Sequence, residues 1–437
     1  MKRVLVLGAG LVAKPLVDYL AGLEDTELTV ADIVVSKAEG LTKQHSNATP
    51  MGFDAGDEQR LSTLVEEHDF AVSLLPGEAH PTVARLCLEH GRSMSTASYV
   101  SREIGEMHDA AVEKELIFIN ECGVDPGMDH MSAMRIIHDA HDRGGQVVSF
   151  RSYCGGLPAP EANTNPIGYK FSWAPKGVLG AAVSKATYLQ DGNVVEVPGD
   201  ELFKSPEIVK FPGVGTFEGY PNRDSTPYVD MYAIPEVQTI FRGTLRNEAH
   251  CEAWYPWVKL GLFQTEPRDD FSELTYGGFM SGLLGGTEDP KAAIAARFGL
   301  AEDSKAITNL DWLGMFSDDP LPFKSGANVD VIATRMLEKC GYSEGERDMI
   351  VMQHEFVVRY DSGDEHLRST LVEYGIPGGD SAMARTVGYP LAIATRMALE
   401  GKIADRGVVT PVKPDMYNPI LDELEGMGIS FQDRVVG

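Results

Sequence analysis

Paired cysteines are missing from this chain. Its five cysteines, Cys87, Cys122, Cys154, Cys251 and Cys340, are odd in number, widely spaced and never in a C-x-x-C arrangement. That argues against a disulfide framework and a structural zinc, and for a reducing cytoplasm. His130, His138 and His141 fall along one expected helix, yet no H-E-x-x-H spacing occurs, so they read as core or solvated histidines and no metal site is expected. No stretch reaches the about 18 uncharged apolar residues of a membrane span. The opening MKRVLVLGAG is too short for a signal peptide and runs into glycines where a cleavage site would stand, which makes it a buried strand. Positive charge is scarce: 38 Lys and Arg face 65 Asp and Glu, a net charge of −27. Such a field repels nucleic-acid phosphates and anionic headgroups, so neither is an expected partner. An anionic substrate would need cations gathered locally. Internal repeats and low-complexity linkers are also absent, so the domains should be closely joined.

With 437 residues the chain is too long for one ordinary core, and two or three domains are expected. The segment RVLVLGAGLVAKPLVDYL is an apolar run, then Gly8-Ala9-Gly10-Leu11-Val12-Ala13, then helical spacing. This is a G-x-G-x-x-A dinucleotide fingerprint in its strand, turn, helix setting. Gly8 permits the tight turn, Gly10 admits a pyrophosphate, and Ala13 keeps helix close to strand. Leu11 and Val12 complete the turn and are assigned to the cofactor with it. A second strand, ELTVADI, ends in Asp32, placed to accept hydrogen bonds from the adenosine ribose hydroxyls. Its carboxylate would repel the extra phosphate of NADP and no Arg stands beside it. NAD is therefore the expected cofactor, with NADP possible through Lys37. Pro15, early in the helix, predicts a local kink.

Further strands follow in SNATPMGFDAGD, HDFAVSLLPGEAHPTVARLCLEHG, RSMSTASYV and LIFINECGVDPG, alternating with helical segments. The alternation predicts an α/β fold: a Rossmann-like, doubly wound parallel sheet. Residues at the carboxyl ends of its strands face the ligand crevice. That places Asp54 and Ala55 near adenine, Leu75 and Pro76 near the second ribose, and Ala97, Ser98 and Tyr99 near nicotinamide. Beyond it, Phe271 to Cys340 reads as helical with Asp289 starting a helix at Pro290. RDMIVMQHEFVVRYDSG reads as a strand, and GGDSAMARTVGYPLAIATRMALEGKI as a long amphipathic helix returning to the dinucleotide domain.

SYCGGLPAPEANTNPIGYKFSW, Ser152 to Trp173, ends a strand and then spends three prolines and three glycines on an irregular loop. This stretch, with NECGVDPGMDHMSAM, GYPNRDSTPY, FRGTLR and the closing GYPLAIATRMALEGKIADRGVVTPVKPDMYNPIL, resembles the saccharopine dehydrogenase family, glutamate-forming type, over nearly the full length. The resemblance implies a Rossmann-like domain formed by 1–125 and 385–437, and an inserted α/β substrate and dimerisation domain formed by 126–270 and 345–384. It adds a small helical subdomain at 271–344, a homodimer, and an amino-acid substrate. The implied reaction joins L-glutamate to L-2-aminoadipate 6-semialdehyde and reduces the imine to saccharopine, or runs in reverse.

Saccharopine is a secondary amine with three carboxylates, so its site needs cations, and Arg suits a carboxylate because its fork grips both oxygens. Lys170, Arg223, Arg242 and Arg246 cluster in the irregular motifs, and Asn163 adds a neutral donor. Lys170 and Cys154 are expected to face the amino-acid pocket from the Ser152–Trp173 loop. Imine chemistry also needs proton donors. Tyr99, Asp125 and Cys154 are the polar groups that the family pattern puts at the reacting centre; from the residues alone, Asp125 reads equally as a helix cap and Cys154 as a small buried hydrophobe. Two other readings remain open: an imine reductase resembling carboxynorspermidine synthase, whose diamine substrate would call for carboxylates in place of arginines, and a dinucleotide-sensing protein without catalysis.

Overall fold

The computed structural model describes residues 1–173 and 175–436; Gly437, at the end of the expected first domain, lies outside them. The chain forms two compact units, one of Met1–Gly145 with Leu371–Asp433 and one of Gln146–Thr370 with the residues from Arg434. The chain thus leaves the first unit at Gly145 and re-enters it at Leu371, where the sequence suggested 125 and 385. The physical reasons are visible at both junctions. Helix Met128–Asp142 belongs with helix Pro414–Gly426: Arg135 donates to the Asn418 side chain at 2.9 Å and to Asp422 at 2.7 Å, and His138 stacks on Tyr417. Glu373 is tied to Arg385 by a buried ion pair.

The first unit is built on a sheet of seven strands. Six are β1 (Lys2–Leu7), β2 (Thr26–Asp32), β3 (Ala48–Gly52), β4 (Phe70–Ser73), β5 (Ser93–Thr96) and β6 (Ile117–Ile119); the seventh is Gly407–Val409. Their order across the sheet is 407–409, β6, β5, β4, β1, β2, β3, and every neighbouring pair is parallel. This is the doubly wound arrangement, with the order reversing between β1 and β4. Val4 to Leu7 are fully buried, as a central parallel strand covered on both faces requires. Helices cross between strands, and a core of Leu5, Leu7, Phe53, Leu61, Ala71, Val83, Met94 and Phe118 fills one face. Ala13–Ala21 is helical, and Pro15 sits in its first turn, where backbone N–H groups have no helical partner anyway. The expected kink therefore has no lost hydrogen bond to drive it.

The long helix Ala382–Leu399, capped by the Ser381 hydroxyl, packs on Ala13–Ala21, the return that the sequence predicts. Gly388 makes this contact: a Cβ there would lie 3.0 Å from the Val12 carbonyl oxygen and 3.1 Å from the Leu16 nitrogen.

The second unit carries a mixed nine-stranded sheet. Strand Gln146–Pro158 lies at its centre, parallel to Thr239–Asn247 and antiparallel to Asp348–Tyr360. The strand expected at RDMIVMQHEFVVRYDSG is present. The loop expected to begin soon after Ser152 starts later, because the strand continues through Cys154, Gly155 and Gly156 to Pro158. Here glycine serves close strand approach, since a Cβ on Gly155 would come within 2.8 Å of Leu245. The helices of the 271–344 region are Tyr276–Leu283, Pro290–Phe298, Lys305–Leu313 and Asn328–Lys339. Asp289 caps the second of them through the Ala292 N–H at 3.0 Å. All four stay within the second unit. Among the described residues no helix is long and apolar enough to cross a membrane.

Gly388→Val should overpack the contact between helices Ala13–Ala21 and Ala382–Leu399 and cost about 1–3 kcal/mol, read as a lower urea midpoint at unchanged slope.

Candidate active site

Every residue assigned to the dinucleotide lies at the carboxyl edge of the parallel sheet. Gly8 follows β1 at φ +100°, and a Cβ there would meet the Leu74 carbonyl oxygen at 2.9 Å. Only glycine fits. Gly10 is different: nothing lies within 4 Å of the Cβ it lacks, so its bareness answers no packing demand within the protein and leaves the backbone open to a bound group. Leu11 is 65% exposed beside it. Helix Ala13–Ala21 starts with no side-chain cap at Val12 and no acidic residue in its first turn, so its amino terminus offers N–H groups and a positive dipole end to an anion. These features fit a pyrophosphate.

Asp32, at the end of β2, bonds to both neighbouring turns. One oxygen accepts the Ala9 N–H at 2.7 Å and the other the Val34 N–H at 2.8 Å. The glycine turn is thereby fastened to the strand that carries the carboxylate expected at the ribose. Asp54, exposed after β3, accepts the Gly56 N–H at 2.9 Å, and Ala55 packs against the core. Leu75 also packs on that core, while Pro76 is exposed and opens a short 3-10 turn at Gly77–Ala79.

At the end of β5 the side chains become polar and connected. The Ser98 hydroxyl lies 2.8 Å from His80 Nε2, and His80 Nδ1 lies 2.8 Å from the Ser73 hydroxyl. His80 is 2% exposed, and burial pushes its imidazole down to about 4; it is a neutral ring beneath Ser98. Sequence reasoning missed it, since a histidine before Pro81 at a helix start carries no periodic signal. Ala97 packs against Gly123, where a Cβ would sit 3.0 Å away. Tyr99 and Asp125, expected to share the reacting centre, do meet: the hydroxyl donates to Asp125 Oδ1 at 3.2 Å. That is longer than the about 2.5–2.7 Å of a strong charge-assisted bond, so the two groups are in contact without being locked together. The Asp125–Pro126 peptide is cis.

In the second unit, Cys154 is 9% exposed on the central strand, paired in register with Thr244 and Met352. Arg242 is 3% exposed, its backbone N–H held by the Ser225 hydroxyl and its guanidinium 4.3 Å from the Tyr228 ring centre. Arg223 is exposed with φ +55°, and the Arg242 carbonyl accepts the N–H of its neighbour Asn222 at 2.8 Å. Arg246 is 7% exposed over the Tyr169 ring at 5.0 Å. Lys170 follows Tyr169 and is 4% exposed, with its ammonium 2.5 Å from Glu346 Oε2. The same pairing, with the Ser343 N–H, holds the Glu346 carboxyl below its ordinary range. Glu346 was not anticipated, because its partner is distant in sequence. Asn163 is exposed after the Pro160–Ala162 turn. The adjacent turn is shaped instead by Asn165, which accepts the Gly168 N–H at 3.0 Å and donates to the Tyr169 carbonyl at 2.9 Å.

Residues 4–119 match the saccharopine dehydrogenase NADP binding domain, and residues 123–429 the saccharopine dehydrogenase C-terminal domain. The chain is 37% identical over 450 residues to saccharopine dehydrogenase [NADP(+), L-glutamate-forming] of Schizosaccharomyces pombe, covering 100% of this chain and 99% of that one. It is 39% identical over 441 residues to bovine mitochondrial alpha-aminoadipic semialdehyde synthase, covering 98% of this chain but 47% of that protein. The fold is similar to that of apo histidine-tagged saccharopine dehydrogenase (L-Glu forming) from Saccharomyces cerevisiae, with a TM-score of 0.89, 37% identity and 100% of both chains covered.

Two outcomes follow from these environments. Lys170→Met should strand the Glu346 carboxylate and cost about 1–3 kcal/mol in urea unfolding, with part recovered in Lys170→Met/Glu346→Gln; an unchanged midpoint would show the pair to be without net effect. For His80, the folded value lies below the ordinary 6.5, so the unfolded chain takes up the proton first. The stability gained from the neutral ring is complete above pH 6.5 and is lost as pH falls toward 4. His80→Asn should lose less stability than the wild type between those limits.

Proposed function

The chain belongs to the saccharopine dehydrogenase family, and from that premise we propose that it interconverts saccharopine with L-glutamate and L-2-aminoadipate 6-semialdehyde in lysine metabolism. The observation that carries this reading is the full-length similarity to the glutamate-forming enzymes, joined to a glycine turn fitted to a dinucleotide and a Tyr99–Asp125 contact on the same sheet edge. When bound, the nicotinamide supplies or accepts the hydride at the carbon next to the secondary amine.

The remaining steps belong to the protein. Joining an amine to an aldehyde passes through a carbinolamine that must lose water, and this needs a proton delivered to its oxygen. The imine nitrogen must then carry a proton when hydride arrives. We assign this proton handling to Tyr99 and Asp125, with Cys154 as a further polar contact. Arg223, Arg242 and Lys170 are assigned to the substrate carboxylates, and Asn163 to a neutral hydrogen bond. What supports the arginine assignment is place and chemistry: Arg242 pairs in register with Ser152, two residues from Cys154, and stacks on the Tyr228 ring, and a guanidinium fork matches a carboxylate. A homodimer in the cytoplasm completes the proposal, and sedimentation velocity measures the dimer.

The cofactor itself is a nicotinamide dinucleotide, and we infer that the form used is NAD. The matched domain and the fungal relatives are named for NADP. In this chain, however, Asp32 is held at the ribose end by Ala9 and Val34, and the residues after it, Ile33, Val34 and Val35, are exposed and apolar. A 2′-phosphate there would face a fixed carboxylate, with Lys37, the next cation along the chain, in the helix Val35–Thr42 that follows.

Mixing the protein with saccharopine and either cofactor, and following absorbance of the reduced nicotinamide, should give turnover and a kcat/KM for NAD about tenfold or more above that for NADP. Asp32→Ser should narrow the ratio. A wild-type preference for NADP would overturn the cofactor assignment, and turnover with a diamine and semialdehyde in place of saccharopine would overturn the substrate.

A further inference from the structure

Three buried ionisable residues of the first unit take no part in the chemistry above: Glu121, Asp129 and His130, exposed by 4%, 1% and 0%. Each of the two carboxylates grips one of the segments that carry the proton-handling pair. Glu121 stands in the left-handed region at φ +56°, a conformation that a non-glycine residue holds only where its surroundings impose it. Its N–H donates to the Ser98 carbonyl at 2.9 Å, and its Oε1 accepts the Val100 N–H at 3.0 Å. One residue thus holds Tyr99 from both flanks.

Asp129 does the same for Asp125. Its N–H donates to the Val124 carbonyl at 3.1 Å, and its Oδ1 accepts the Gly127 N–H at 2.6 Å, so the bonds fall on either side of Asp125–Pro126. His130 joins the two grips: Nε2 lies 2.9 Å from Glu121 Oε2, and Nδ1 faces Asp129 Oδ2 at 3.7 Å. A single imidazole therefore spans two carboxylates, and each of these sets the backbone of one member of a pair that meets at 3.2 Å.

We propose that His130 is a positioning residue for the reaction: with Glu121 and Asp129 it fixes the separation of Tyr99 from Asp125. The inference rests on the functional reading above. A ring that only stabilised the fold would change the amount of folded protein. One that sets this separation changes turnover per folded molecule, and does so only while the Tyr99 hydroxyl is there to be positioned.

The test is a double-mutant cycle on saccharopine turnover, with His130→Ala, Tyr99→Phe and the two combined. Dinucleotide affinity is read by fluorescence titration and folding by thermal midpoint. His130→Ala should lower kcat about tenfold while KM and dinucleotide Kd stay within about twofold, and in the Tyr99→Phe background it should cost less than about twofold more. His130→Gln, which keeps a donor toward Glu121, should recover about a third of the lost rate. If His130→Ala does not fold, Glu121→Gln enters the same cycle with the same expectation of non-additivity. A folded His130 variant with wild-type kcat, or losses that multiply across the cycle, would overturn the proposal. Failure of the wild-type protein itself to turn over saccharopine would sink the functional reading instead.

Discussion

Asp32 is the residue on which the first unit's working edge depends. A glycine turn is chosen for its freedom, and that freedom is a liability unless something holds the turn in one shape. Here the two oxygens of one carboxylate take the Ala9 and Val34 N–H groups, fastening the turn after β1 to the turn after β2. Gly8 then fits under the Leu74 carbonyl, and the open side of Gly10 is presented at a defined place. In the proposed reading the same charge that orders the protein faces the ribose of a dinucleotide. On that proposal, local order and cofactor selection are two effects of one side chain.

Much of this edge was legible in the sequence because its signals are local. Glycine spacing, an apolar run before it and an acidic residue after the next strand all lie within about thirty residues, and the parallel sheet follows from strands alternating with helices. Tyr99 and Asp125 come from a resemblance, and the fold brings them into contact at 3.2 Å. What stayed hidden depends on long-range pairing. Nothing near His80 announces Ser73 and Ser98 as partners, and Glu121 reads as one more acid in an acidic chain until its N–H is seen bonded to Ser98 and its carboxylate to Val100. The sequence predicts a loop at Cys154 to Pro158, where the structure has strand, because glycine and proline usually break strands. In this case the glycine is present because Leu245 of the adjoining strand leaves no room for a side chain.

The second unit solves a different difficulty. In a chain of net charge −27 the cations are the scarce resource, and several are placed where water is excluded: Arg242 over Tyr228, Arg246 over Tyr169, Lys170 against Glu346. An aromatic face gives a buried guanidinium a cation–π contact in addition to its polar ones. Lys170 is matched by an acid of the same unit, which ties its role to stability as well as to any ligand.

The first unit is discontinuous: helix Ala382–Leu399 and strand Gly407–Val409 join a sheet whose other six strands come from the first 119 residues. On a ribosome those last pieces emerge only after Gln146–Thr370, nearly all of the second unit, has been made. The amino-terminal strands must wait with the face of helix Ala13–Ala21 that Gly388 will cover still wet, while the inserted unit already has nearly all of its own chain. Biosynthesis therefore orders maturation from the inserted unit outward, and the crevice for the dinucleotide is among the last parts to close.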